Sequence, residues 1–160
     1  MNEHTTNIVI AGLGGQGVLK ASDILADAAF AAGRDVKKSE VHGMSQRGGS
    51  VTSDVRFGDD VASPMVPAGE ADFLLALDAT QIDNNRARLK PDGTLIAPDA
   101  VDVSTLGNKR SLNVALIGVL SAHLDIDEIH YLAAIRANLP AKVHEVNLRA
   151  FAAGRAAAKT

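Results

Sequence analysis

The pattern of hydrophobic and polar positions divides the chain into alternating strands and helices. Five apolar or alternating runs predict strands, near residues 7–12, 35–41, 50–57, 71–77 and 94–97. The run at 50–57 alternates, and Gly58-Asp59-Asp60 follows it as a turn, so we expect a hairpin there with one side less buried. The run at 35–41 is the weakest of the five, because it contains Lys37, Lys38 and Glu40.

Apolar residues at helical spacing follow the first strand and fill the last third of the chain. The first helix is expected to begin at Gly15 to Val18 and to end at Gly33, a position suited to a C-terminal glycine. A polar helix is predicted over 81–89, and Pro91-Asp92-Gly93 should turn the chain into the next strand. Three further helices are predicted over 112–124, 127–139 and 142–158, and the segment 104–110 is expected to be irregular.

Strands that alternate with helices are typical of an α/β fold. We therefore predict one domain over residues 1–160, built in three layers from a mostly parallel sheet with one hairpin and helices on both faces, and ending in a helical C-terminal third. The core should be aliphatic, since hydrophobic residues make up 46% of the chain, aromatic residues only 3%, and tryptophan is absent.

Composition narrows the classes of function. The sequence has no cysteine, which excludes disulfides, thiolate catalysis and cysteine-ligated iron–sulfur clusters within this polypeptide. The net charge is −3 and no long run carries one sign, so a nucleic-acid or acidic-membrane surface is not indicated. The polar first residues and the lack of an apolar run of membrane-spanning length lead us to expect a cytoplasmic protein without membrane insertion.

A glycine-rich loop, Gly12-Leu13-Gly14-Gly15-Gln16-Gly17, lies between the first predicted strand and the first predicted helix. In that context glycines permit a tight turn, close approach of a ligand to the backbone, and free N–H groups at a helix start. The alternative is a tight turn that binds nothing. A dinucleotide site also needs an acidic residue at the end of the second strand, and Glu40 has suitable spacing but follows a polar strand, so the fingerprint is imperfect.

A second polar loop follows the second predicted strand. It contains His42, Gly43, Gln46, Arg47, Gly48 and Gly49. The arginine can bind a phosphate or carboxylate through two hydrogen bonds, and the histidine can donate a hydrogen bond or transfer a proton near neutral pH. Such a loop can also be a solvated surface segment, but loops at strand ends carry most binding sites of α/β folds. Neither loop suggests a catalytic base or a set of metal ligands.

Together the two loops resemble a known family. The stretches Ile10-Ala11-Gly12-Leu13-Gly14-Gly15-Gln16-Gly17-Val18 and Ser39-Glu40-Val41-His42-Gly43-Met44-Ser45-Gln46-Arg47-Gly48-Gly49-Ser50-Val51 are similar to the gamma-type subunit of 2-oxoacid:acceptor oxidoreductases. Within that family the chain is most similar to the small subunits of enzymes for indolepyruvate and other aryl 2-oxoacids, such as phenylglyoxylate. The resemblance spans about residues 7 to 155, although the region 98–112 is shorter than in longer members.

The resemblance implies a subunit of a complex, inactive alone, that oxidatively decarboxylates a 2-oxoacid to acyl-CoA. It implies that thiamine diphosphate, Mg²⁺ and iron–sulfur clusters are bound by partner subunits, that coenzyme A is a co-substrate, and that electrons pass to ferredoxin or an NAD-linked acceptor subunit. The two loops would then help to shape the thiamine and CoA site. The residues expected to contribute are Gly12, Gly14, Gly15, Gln16, Gly17, His42, Gly43, Gln46, Arg47, Gly48 and Gly49.

Two alternatives remain open at this point. The chain could be a stand-alone domain that binds NAD or FAD at the first glycine loop, or a scaffold subunit whose loops only complete an interface. Arg47 is the first choice for contacting a CoA phosphate or a substrate carboxylate if the resemblance holds.

Overall fold

A five-stranded mixed sheet organises the molecule. The computed structural model describes residues 4–42 and 49–159. Within them the strands are β1 (Thr6–Leu13), β2 (Asp35–His42), β3 (Ser50–Gly58), β4 (Ala71–Ala76) and β5 (Leu89–Ile96), in the sheet order β2-β3-β1-β4-β5. β3 is antiparallel to both of its neighbours, whereas β1, β4 and β5 are parallel. Four strands therefore share one direction, and β3 runs against them.

Five α-helices accompany the sheet in the described residues. They are α1 (Val18–Ala31), α2 (Ile82–Asn85), α3 (Leu112–Ser121), α4 (Glu128–Asn138) and α5 (His144–Ala158). Short 3₁₀ turns flank α2 and precede α3 and α5. No helix among these residues is both long enough and apolar enough to cross a membrane.

The two faces of the sheet are covered unequally. Ile8 and Ile10 of β1 point into a large core that includes buried residues of α1, α3, α4 and α5. Val9 and Ala11 point the other way, into a small cluster with Val66 from the loop between β3 and β4. The α/β class, the mostly parallel sheet and the helical last third are thereby confirmed. The predicted helices on both faces are unequal: the long helices cover one face, and the segments 59–70 and 79–88, with only the short α2, cover the other.

Among the described residues, one buried carboxylate links the segments on the less covered face, here called the thin face, to the sheet; the face that carries the long helices is the thick face. Asp54 is 5% exposed, and its oxygens accept hydrogen bonds from both Nη atoms of Arg88, at 2.9 and 2.6 Å. The same carboxylate accepts a hydrogen bond from the backbone N–H of Val66 at 2.9 Å. Asp54 therefore fixes the loop and the segment before β5 against the sheet.

The hairpin is formed by other strands than the sequence predicts. We expected a hairpin turn at Gly58-Asp59-Asp60, but β3 ends at Gly58 and β1 separates it from β4. The hairpin instead joins β2 to β3, with all eight residues of β2 in register. The polar composition of β2 is explained by its place at the edge of the sheet, where one side of the strand faces solvent.

The predicted turn at Pro91-Asp92-Gly93 lies inside β5. A proline is tolerated there because β5 is an edge strand, and the register between β4 and β5 is irregular next to Ala71. A Cβ atom on Gly93 would lie 2.9 Å from the carbonyl oxygen of Ala71, so glycine permits the close approach. The helix predicted over 81–89 is shorter than expected, since α2 has only four residues.

Two glycines let α3 and α5 touch through their backbones. A Cβ atom on Gly154 would lie 1.8 Å from the carbonyl oxygen of Ala115, and one on Gly118 would lie 2.2 Å from that of Phe151. Both distances are far below van der Waals contact, so any larger residue would force these helices apart. This contact fixes the position of α3, whose first turn borders the candidate site.

Candidate functional site

The loop from Gly12 to Gly17 connects β1 to α1 at the carboxyl end of the parallel strands. Gly15 and Gly17 have φ values of 91° and 83°, in the left-handed region that favours glycine. Gly12 has a different requirement, because a Cβ atom there would lie 2.8 Å from Cγ2 of Val18 and 3.1 Å from Cβ of Leu77. The tight turn predicted for this loop is present, and the packing against Val18 and Leu77 is a further reason for glycine at position 12.

Gln16 fastens the loop to the next parallel strand. Its Oε1 accepts a hydrogen bond from the backbone N–H of Leu13 at 2.7 Å, and its Nε2 donates to Oδ2 of Asp78 at 2.7 Å. Asp78 follows β4, and its Oδ1 accepts hydrogen bonds from the backbone N–H and the hydroxyl of Thr80 at 3.0 and 2.6 Å. These bonds from Thr80, and then that from Gln16, hold the pKa of Asp78 below its usual value.

This network gives Gln16 a structural role in addition to the one expected for it at the site. Its amide oxygen and nitrogen both already have protein partners, so the side chain orders the loop within the subunit. A ligand that approaches here meets the backbone of the loop and an ionised carboxylate behind it.

Among the described residues, one backbone hydrogen bond joins the first glycine loop to the end of the second. The backbone N–H of Gly14 donates to the carbonyl oxygen of Gly49 at 2.8 Å. In the same corner Leu13 is paired with Ser50, and His42, which is exposed, is paired with Val51. The structure thus brings Gly49 and the strand bearing His42 to the glycine loop, as the sequence predicts.

The remaining predicted residues of the second loop, Gly43, Gln46, Arg47 and Gly48, lie outside the described residues. Their expected roles stay predictions.

Two clefts flank the first glycine loop. The hairpin-side cleft, of about 360 Å³, lies between that loop and the strands β2 and β3, and its lining includes Gly14, Lys20 and His42. The α3-side cleft, of about 300 Å³, lies between the loop and the segment that leads into α3. It is lined by Gly15, Gln16, Gly17, Leu77, Lys109, Arg110, Leu112 and Asn113.

The α3-side cleft contains residues that the sequence patterns did not single out as a site. Asn113 is 8% exposed and donates from Nδ2 to the carbonyl oxygen of Gly17 at 3.2 Å, which ties the loop to α3. Lys109 and Arg110 stand in the short 3₁₀ turn before α3. The only sequence signal for them was a basic pair directly ahead of the most apolar helix.

The arrangement differs from that of a dinucleotide-binding fold. In such folds the acidic residue that binds the ribose ends the strand after the glycine loop and its helix. Here β3 lies between β1 and β2, so Glu40 stands two strand spacings, about 10 Å, from the strand that carries the loop. Glu40 also forms an ion pair with Lys38 at 3.4 Å.

The described residues contain no group of three or more histidine, aspartate or glutamate side chains placed to hold a metal ion.

Comparison with known proteins identifies the family. The sequence matches the pyruvate ferredoxin/flavodoxin oxidoreductase family over residues 7–104 and 99–157. The chain belongs to that family. It is 36% identical to the indolepyruvate oxidoreductase subunit IorB of Pyrococcus horikoshii, covering 96% of both chains. It is also 30% identical to the ketoisovalerate oxidoreductase subunit VorA of Methanothermobacter marburgensis, covering 92% of this chain and 35% of VorA.

Solved structures share the fold. The gamma subunit of a keto/oxoacid ferredoxin oxidoreductase from Geobacter sulfurreducens superimposes with a TM-score of 0.78 at 24% identity, covering 96% of this chain and 98% of that chain. A 2-oxoglutarate:ferredoxin oxidoreductase from Magnetococcus marinus superimposes with a TM-score of 0.82 at 22% identity, covering 99% of this chain and 32% of that chain.

The resemblance stated from the two glycine-rich loops is confirmed by these matches. The chain is accordingly a small subunit of the 2-oxoacid oxidoreductase type, and its enzymatic class is that of the oxidoreductases.

Proposed function

We propose that this chain is the cluster-free small subunit of a thiamine-diphosphate-dependent 2-oxoacid:ferredoxin oxidoreductase that forms acyl-CoA from an aryl or related 2-oxoacid. Its two glycine-rich loops face the partner subunits and help to shape the thiamine and CoA site. The substrate class is suggested by the indolepyruvate oxidoreductase subunits, whose whole length this chain nearly matches.

The hydrogen bond from Gly14 to Gly49 is the observation that supports this proposal most. It joins the two loops at one corner of the sheet, where the carboxyl ends of β1 and β2 meet. Ligands of α/β proteins bind in crevices outside the carboxyl ends of their strands. A partner subunit that covers this corner would contact both loops and the two clefts beside them.

The residues of this chain are better suited to forming part of the wall of the thiamine and CoA site than to binding an iron–sulfur cluster or Mg²⁺. The sequence has no cysteine for clusters, and the described residues offer no acidic group set for Mg²⁺. Thiamine diphosphate, when bound in the complex, would supply the chemistry that decarboxylates the 2-oxoacid. This chain would contribute the backbone N–H group of Gly15, a fixed loop geometry maintained by Gln16, and the polar side chains of the second loop.

The dinucleotide-binding alternative has weaker support. Glu40 lies on an edge strand that is not adjacent to β1, and it is already paired with Lys38. We therefore expect the isolated chain to bind NAD(H), NADP(H) and FAD weakly or not at all. Calorimetric titration is the measurement, and a micromolar dissociation constant for any of these would favour the stand-alone domain instead.

Purification of the native complex tests the proposal directly. The chain should co-purify with a larger, yellow-brown partner, and the complex should reduce ferredoxin only when both a 2-oxoacid and CoA are supplied. Reconstitution of the partner without this chain is the control, and it should show little CoA-dependent turnover. A chain that purifies alone as a monomer, or a partner that is fully active without it, would contradict the proposal.

A further inference from the structure

A further cleft lies at the opposite end of the sheet from the glycine loops. This amino-end cleft has a volume of about 340 Å³, and its lining includes Arg34, Phe73, Lys90, Leu124 and Asp125. It adjoins the first residues of β1, β4 and β5. The two ends of β1, which has eight residues, are about 23 Å apart. A ligand in this cleft would therefore be well separated from the corner where the two glycine loops meet.

Arg34 and Asp125 bring opposite charges into the amino-end cleft without pairing with each other. Nη2 of Arg34 donates a hydrogen bond to the main-chain carbonyl oxygen of Asp125 at 3.1 Å. Within residues 4–42 and 49–159, neither side chain takes part in an ion pair. The bond thus holds a guanidinium beside the loop that carries the carboxylate, and it leaves both charges available to a ligand.

Lys90 and Asp72 also line this cleft, but they neutralise each other. Nζ of Lys90 lies 2.7 Å from Oδ1 of Asp72 and 3.8 Å from Oδ1 of Asp92. The other oxygen of Asp72 accepts a hydrogen bond from the backbone N–H of Asn7 at 2.8 Å. The hydrogen bond to Asp72 raises the pKa of Lys90 above its usual value. This lysine is therefore already paired and does not compete with Arg34 for an anion.

One wall of the amino-end cleft is aromatic. The rings of Phe73 and His123 have centroids 5.7 Å apart and are tilted by 55°. Phe57 and Leu124 add apolar surface beside them. An aromatic ring of a ligand can pack against such a pair in an offset or edge-to-face arrangement. The cleft thus offers a guanidinium, a carboxylate and an aromatic surface to one ligand.

We propose that the amino-end cleft binds an α-amino acid with an aromatic side chain. Arg34 holds the carboxylate through its remaining N–H groups, Asp125 accepts hydrogen bonds from the ammonium, and the rings of Phe73 and His123 contact the side chain. An α-amino acid suits the cleft because it carries both charges on one carbon atom. A simple carboxylic acid would leave Asp125 unpaired, and a simple amine would leave Arg34 unpaired.

Size and position limit the role of this ligand. A volume of about 340 Å³ stands at the lower end of small-molecule sites, which suits a single amino acid. Transfer of the amino group of such an amino acid to another 2-oxoacid converts it into an aryl 2-oxoacid, so the choice of aromatic side chains rests partly on the proposed function. Because the cleft lies far from the glycine loops, the amino acid would be an effector of the complex and not its substrate.

Amide NMR of the full ¹⁵N-labelled chain provides the test. The probes are L-phenylalanine, phenylpyruvate, which has a keto oxygen in place of the ammonium, and phenethylamine, which lacks the carboxylate. L-phenylalanine should shift the amide signals of Thr6, Phe73 and Leu124 and leave those of Gly15 and Gly17 unchanged. The other two probes should bind at least about tenfold more weakly, because each lacks one charge-assisted contact.

Two variants assign each charge to one end of the ligand. Arg34→Ala should raise the dissociation constant of L-phenylalanine about tenfold without weakening phenethylamine, which has no carboxylate for this arginine. Asp125→Asn should do the same to L-phenylalanine without weakening phenylpyruvate. Arg136→Ala and Asp60→Asn remove the same charges at exposed positions outside the cleft, so these controls should bind like the parent chain.

Three results would overturn the proposal. They are no shift with L-phenylalanine, binding of phenylpyruvate as tight as that of L-phenylalanine, and an equal loss of all three probes in either cleft variant. The last result would show that Arg34 or Asp125 only maintains the local fold. The requirement of the complex for this chain is measured separately by reconstitution, so failure here leaves the proposed function standing.

Discussion

Replacement of Gly154 by alanine tests how closely α3 and α5 depend on contact between their backbones. The added Cβ atom would lie 1.8 Å from the carbonyl oxygen of Ala115, and also 2.9 and 3.0 Å from the carbonyl carbon of Ala115 and the N atom of Val119. All three neighbours are main-chain atoms of α3, so no side chain can rotate to relieve the overlap. The helices would have to separate by about 1.5 Å to restore ordinary contact.

Two opposing terms set the expected size of the effect. Alanine favours a helix interior over glycine by about 1 kcal/mol. Overpacking typically costs about 1–3 kcal/mol, and separation by more than 1 Å also forfeits a large part of the dispersion contacts along the interface. We expect the packing loss to win, with a net destabilisation of about 2 kcal/mol, which corresponds to a melting temperature lower by about 4–8 °C for a chain of this size.

Thermal and urea denaturation followed by circular dichroism measure the change. Ala152→Gly, at an exposed position of α5, is the matched control because it changes helix propensity alone and should cost no more than about 1 kcal/mol. If Gly154→Ala were as stable as the parent chain, or more stable, helix propensity would dominate and the close backbone contact between α3 and α5 would be unimportant for stability.

Three further predictions concern the thin face and the site. Arg88→Ala should destabilise the protein by about 3 kcal/mol in urea denaturation because it leaves Asp54 buried without its cation, whereas Arg86→Ala, at an exposed position, should change stability by less than 1 kcal/mol. Because the pKa of Asp78 is lowered in the folded state, its ionised carboxylate stabilises the protein above about pH 4, and this contribution is lost as the pH falls through the lowered pKa. The free energy of unfolding of Asp78→Asn should therefore fall less than that of the parent chain between pH 5 and pH 2. Equal falls in both proteins would show that Asp78 is not responsible. In the assembled complex Arg47→Ala should raise the Michaelis constant for CoA or 2-oxoacid by about one to two powers of ten, and Arg47→Lys should restore it only in part. If size-exclusion chromatography shows that the variant complex dissociates while its kinetic constants are unchanged, this arginine belongs to the interface instead.

The parts of the fold that the sequence predicts well are those with strong local signals. Continuous apolar runs marked β1 and β4, and glycines at both ends marked α1. The edge strands β2 and β5 have weaker apolar patterns than the central strands, because their exposed sides tolerate lysine, glutamate and even proline. That is why β2 looked doubtful and why the first half of β5 was expected to be a turn.

One part of the candidate site could be predicted from the sequence and another part could not. The glycine loop and the approach of Gly49 were predictable, since glycine patterns next to strands have few structural meanings. The α3-side cleft was not, because Lys109 and Arg110 lie more than ninety residues beyond Gly17 in an irregular segment. Only the packing of α3 against the first loop, through Asn113, brings these residues to the same cleft.

The unequal covering of the sheet also has a consequence for local unfolding. The loop 59–70 buries the side chains of Val61 and Val66 and is tied to the sheet by single hydrogen bonds to Asp35, Arg56 and Asp54. Its amides should therefore exchange with solvent through a local opening that leaves the rest of the domain folded. α1 and α3, which border the two clefts, belong to the thick face and share one large core. Hydrogen exchange in α1 and α3 should therefore require opening of that core, so these two helices stay closed while the loop 59–70 opens and closes.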